Sequence, residues 1–139
     1  MRVLFEAEDA ILKYDEASHL FKFIWSGVIS LDTLKRVVME TAHIVEKVDS
    51  ASLFFDRRNL ESYSPEAKDW IKNDFMKKDG KRLMKKIDKI VAVSSKSVFA
   101  QLVSTLLVGV LRLYNRSIKY KVFDTEKEAL DWVLKKETA

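Results

Sequence analysis

Two short apolar runs constrain the fold more than any other feature of this chain. Residues 51–55 (ASLFF) and 90–94 (IVAVS) are continuous apolar stretches set between helix-type patterns. A strand with one wet face alternates apolar and polar residues. A strand that is apolar at successive positions is covered on both faces, as at the centre of a sheet between helices. Parallel neighbours in such a sheet need a crossover, usually a helix. The other runs fit around them. Residues 2–6 read as a short edge strand. Residues 10–14 (AILKY) and 20–25 (LFKFIW) read as a hairpin across the turn-type residues 15–19, with Ser26-Gly27 ending its second strand. Residues 118–123 (IKYKVF) alternate and read as an edge strand.

The helices announce themselves by caps and periodicity. Ser30 precedes a stripe of Leu31, Leu34, Val37, Val38, Ala42, Val45 and Val48, with Arg36, Glu40, His43 and Lys47 opposite. Ser64-Pro65 opens a second helix, with proline at the first position, where its missing N–H costs nothing. Ala67, Trp70, Ile71 and Phe75 form its apolar face, and Asp79-Gly80 is expected to stop it. Leu83, Met84 and Ile87 predict a further short helix. Ser97 caps a long helix to Tyr114, and residues 124–128 start a last one. The expected architecture is α/β, a mixed sheet of five to six strands with an N-terminal antiparallel hairpin and four main helices.

At 139 residues the chain is expected to form a single domain, 1–139, able to bury roughly two-thirds of its unfolded surface without disulfide or metal. Cysteine is absent, which removes disulfide frameworks, thiolate metal sites and cysteine nucleophiles. With 3 Gly and 1 Pro, glycine-rich phosphate loops are nearly excluded. The first residues carry Glu6, Glu8 and Asp9 instead of an apolar leader core, and residues 98–114 fall short of a membrane span. A cytoplasmic location is the expectation. No catalytic set emerges, because His19 belongs to a turn and His43 to a wet helix face. No metal site or cofactor is expected, and the chain reads as a non-enzyme, the alternative being an activity around Asp56, Arg57 and Arg58.

Charge is concentrated. The chain carries a net +4, yet residues 77–89 (KKDGKRLMKKIDK) alone hold +5. Lys77, Lys78, Lys81, Arg82, Lys85 and Lys86 therefore form a candidate basic patch for anionic lipid or an acidic partner. The plainer reading is a solvated helix whose Leu83, Met84 and Ile87 seal the sheet. Nucleic acid is disfavoured, since no aromatic stacking platform accompanies the lysines. The 97–114 helix is apolar over more than half its circumference. Phe99, Val103, Leu106, Leu107, Val110 and Leu111 are its candidate interface, for self-association, a neighbouring helix or an apolar ligand.

Three stretches carry a family resemblance: residues 20–37 (LFKFIWSGVISLDTLKRV), 53–71 (LFFDRRNLESYSPEAKDWI) and 120–135 (YKVFDTEKEALDWVLK). In order and spacing they resemble the STAS-related SpoIIAA-like superfamily. That group includes anti-sigma-factor antagonists, STAS domains of anion transporters and stand-alone domains of unassigned function, with a distant fold likeness to CRAL-TRIO lipid-binding domains. The resemblance implies a STAS-like fold and a non-catalytic interaction or ligand-binding module. In the antagonists a regulatory serine follows the central strand at a helix start, where a phosphate is stabilised. The matching region here offers Asp56, Arg57, Arg58, Ser62 and Ser64 as a candidate ligand or regulatory loop. The Ser-Ser-Gly part of the antagonists' motif has no counterpart, and Ser64 also reads as a plain N-cap. Two guanidinium forks suit a carboxylate or phosphate. The rival to partner binding is a carrier of a lipid or small apolar molecule, which requires an apolar cavity between helix and sheet.

Overall fold

The computed structural model describes residues 1–78, 80–97, 108–109, 112–113 and 115–135. Six strands form one sheet in sequential order: β1 (Arg2–Glu6), β2 (Ala10–Asp15), β3 (Leu20–Ile29), β4 (Ala51–Tyr63), β5 (Ile87–Val93) and β6 (Lys119–Phe123). The first three are antiparallel neighbours, and β3 to β6 run parallel. The α/β class, the mixed sheet and the N-terminal hairpin are as the sequence predicts. The hairpin turn ends on His19, at φ 53, whose Nδ1 lies 3.0 Å from the Tyr14 hydroxyl.

Helix α1 (Leu31–Val45) starts where predicted, with Ser30 Oγ accepting from Thr33 N–H at 3.2 Å. Asp9 adds a second cap, accepting from Ser30 N–H at 2.9 Å and from the Thr33 hydroxyl at 2.6 Å. Helix α2 (Pro65–Trp70) opens at Ser64, which accepts from Ala67 N–H at 3.0 Å. It runs into a π-helical turn (Ile71–Phe75), α3 (Met76–Lys78) and α4 (Gly80–Met84). Helix α5 (Glu126–Leu134) follows β6, capped by Thr125. One face of the sheet packs with α1, α2 and α4 through Phe21, Phe23, Trp25, Leu53, Leu60 and Ile90. The other face packs with α5 through Leu20, Phe54, Val91 and Val93.

Several boundaries differ from expectation. Gly80 begins α4 rather than ending a helix, and Ile87 belongs to β5, not to the short helix. Ser26-Gly27 does not end β3. Glycine takes φ +66 there, a conformation open to it without a Cβ, and the strand continues to Ile29. The largest correction concerns residues 56–63. They are not a loop but the second half of β4, a strand of thirteen residues. Ile24 pairs with Asp56 and Ser26 with Asn59; Gly27 pairs with Leu60 and Val28 with Ser62. Each step places an extra residue in β4, a bulge that flips the side-chain alternation. Leu53, Leu60 and Tyr63 therefore share one buried face although their spacing breaks the period of two.

Candidate functional site

Strand alternation separates the three charged residues that sequence reasoning grouped. Asp56 sits on the α5 face and is 5% exposed. The Arg58 fork holds it: Nε donates to Oδ1 at 2.9 Å and Nη2 to Oδ2 at 2.7 Å. Arg58 Nη2 also reaches Glu126 at 3.2 Å, and Glu126 pairs in turn with Lys22. Two carboxylates and two cations thus close a balanced network joining β3, β4 and the first turn of α5. Burial pushes the Asp56 carboxyl up, but the Arg58 hydrogen bonds outweigh it and hold the group below its usual range. The Lys22 hydrogen bond, opposed by burial, holds Glu126 low as well. Asp56 pushes Arg58 up. Groups locked in their charged forms are poorly matched to acid–base work near neutrality.

Arg57 points to the opposite face. It is 1% exposed, and its Nε donates to the carbonyl of Val93, the last residue of β5, at 3.3 Å. Beyond the Asp56–Val93 pair β4 outruns β5, so Arg57 stands where the parallel ladder ends. Its Nη1 and Nη2 find no hydrogen-bond partner among the described residues. Beside it a cavity of about 130 Å³ opens between the sheet and the helices. Phe23 and Trp25 of β3, Leu34 and Val37 of α1, Trp70 and Phe75 supply much of its wall. Thr41 also lines it but turns its hydroxyl back onto Val37 O at 2.8 Å. Sequence reasoning named Arg57 yet missed this surrounding wall. Its described parts come from eight elements, β3 to β6, α1, α2, the π-helical turn and α4, and from Val108, and the bulged β4 brings Leu53, Arg57 and Tyr63 onto one side among them.

The remaining candidates are placed as follows. Ser64 caps α2, and the Ser62 hydroxyl donates to Tyr63 O at 3.1 Å. Lys77, Lys78, Lys81 and Lys85 are exposed. Arg82 pairs with Glu46 at 3.0 Å. Lys86 donates to Val45 O and Glu46 O at 3.2 and 3.1 Å, closing the C-terminus of α1. The basic segment is therefore partly a capping device. Phe99, Val103, Leu106, Leu107, Val110 and Leu111 lie outside the described residues. From the same stretch, Val108 is buried against the cavity and Leu113 is 71% exposed. Among the described residues no helix is long and apolar enough to cross a membrane.

A six-stranded mixed sheet with an N-terminal antiparallel meander and helices on both faces defines a STAS-like α/β protein. The SpoIIAA-like family model matches residues 20–134, and the chain belongs to that family. Among solved structures it is similar to an uncharacterized protein of the DUF3478 family from Shewanella loihica PV-4, which has a SpoIIAA-like fold. The TM-score is 0.62 at 12% identity, covering 93% of this chain and 98% of that one. No curated protein sequence matches.

Proposed function

We propose that this chain is a non-catalytic binding module, a single domain that holds a small apolar molecule between its sheet and helices. The carrying observation is the cavity walled by aromatic and aliphatic side chains. Preformed, mostly apolar concavities with few polar groups are the usual form of small-molecule sites. The charge-locked Asp56 and Glu126 support the non-catalytic part of the reading. Native mass spectrometry of freshly purified protein tests it, together with titration of toluene followed by tryptophan fluorescence, since Trp25 and Trp70 line the cavity. A bound small-molecule adduct or saturable quenching supports the reading. The absence of both overturns it.

A second reading places a protein partner, or a second copy, on the 97–114 segment of a cytoplasmic protein. The exposed Leu113 favours it. Sedimentation showing a strict monomer at micromolar concentration counts against self-association. The exposed lysines favour a third contact, with anionic membrane. Vesicle binding that survives replacement of Lys77, Lys78, Lys81 and Lys85 by Gln removes the electrostatic basis for it.

A further inference from the structure

We propose that Arg57 anchors the acid group of a small monocarboxylate whose apolar body fills the cavity; this rests on reading the cavity as a ligand site. A buried charge without a partner is strongly destabilising, so proteins pair such groups or use them. Arg57 is 1% exposed and leaves both Nη groups without a hydrogen-bond partner among the described residues. The carboxylate next to it in sequence, Asp56, faces the other side of the sheet and is held by Arg58. Trp25 Nε1, buried in the same wall, is likewise without a partner among the described residues. The Arg57 Nη groups and Trp25 Nε1 are donors, and Thr41, one of the hydroxyl-bearing residues of the wall, is already bonded to its own helix. Donors beside a cation call for an anionic acceptor. The two Nη groups of a guanidinium match the two oxygens of a planar acid in one bidentate contact. A phosphate brings a second charge that one arginine in an apolar wall does not balance.

Size narrows the class further. A dry cavity of about 150 Å³ accepts benzene, and this one measures about 130 Å³. The body is therefore a ring or branched chain of about six carbons.

The test compares phenylacetate, 2-phenylethanol and toluene by calorimetry and tryptophan fluorescence at pH 7, on wild type, Arg57→Met and Arg57→Lys. Wild type is expected to bind the acid about ten- to a hundredfold more tightly than the alcohol. Arg57→Met should lose that preference, keep toluene binding and melt no lower than wild type, because an unpaired buried charge has been replaced by an apolar side chain. Arg57→Lys should keep part of the preference. Equal binding of acid and alcohol by wild type, or an undiminished preference in Arg57→Met, overturns the anchor and leaves the cavity reading standing. Failure of all three compounds to bind wild type overturns both. Should Arg57→Met not fold, the Arg57 Nε–Hε resonance of wild type decides. A shift on adding phenylacetate but not toluene supports the anchor, and an unmoved resonance overturns it.

Discussion

Asp56 and Arg57 are adjacent in sequence and opposite in circumstance. One is a buried acid held by the Arg58 fork, the other a buried base with two Nη groups that no described residue meets. The Asp56–Arg58 fork is expected to be worth about 1.5–3 kcal/mol, the range for hydrogen bonds to charged groups. Arg58 keeps about half its side chain in water, which argues for the lower part of that range. Asp56→Asn should therefore lower the urea midpoint without changing the slope. An unchanged midpoint would show that the pair is neutral for stability. Ser64 makes a more local contribution. Ser64→Ala removes the acceptor for Ala67 N–H and should cost about 1 kcal/mol in the same assay. The cap at Ser64 was legible in the sequence, because Ser-Pro before an apolar helix face is a local signal. The placement of Arg57 was not, since it depends on which strand ends beside it.

At the level of elements, β4 carries the structure's least predictable feature. Its apolar residues at 53, 55, 60 and 63 do not share a period of two, so the pattern looks like strand followed by loop. Two bulges restore a common face, and only pairing with β3 reveals them. Gly27 accompanies the second bulge. Gly27→Ala meets no atom within 4 Å, yet must hold φ +66. The expected loss is about 1–2 kcal/mol, from backbone strain alone. A substitution without effect would mean that the strand end relaxes freely. Helix ends tell a similar story. Lys86 lies in a run that reads as a basic amphipathic face, but its ammonium sits on the last carbonyls of α1. Lys86→Met should cost about 0.3–1 kcal/mol, less at high salt. Lys89 does the same for α5, donating to Lys135 O at 3.0 Å.

For the whole molecule, acid is the informative perturbation. Asp56, Glu126 and Asp9 are all held below their ordinary values. For Asp9, burial pushes upward, but hydrogen bonds from Ser30 and Thr33 outweigh it. A carboxylate lowered in the folded state adds stability above its unfolded pKa, and that stability is lost as pH falls through the folded value. The melting temperature should thus hold between pH 7 and 5 and fall below about pH 4. In the double variant Asp56→Asn, Glu126→Gln the acid limb should flatten. Circular dichroism melts at stepped pH measure both, and an acid limb unchanged in the variant would assign the loss to other groups.

The order of strands and helices, their types and most of their caps were fixed by local chemistry: apolar periodicity, turn residues and hydroxyls before helices. These act within about ten residues, so a linear reading captures them. Tertiary structure alone decided the rest. It kept β3 and β4 paired beyond their apparent ends, so that strand alternation sets Asp56 and Arg57 on opposite faces, and it turned Lys86 into a cap. It also placed Arg57, whose Nη groups meet no hydrogen-bond partner among the described residues, beside an apolar cavity. The physical reason is the same throughout. The sign of a charged or polar residue's contribution depends on which partners share its space, and those partners arrive here from elements dozens of residues apart.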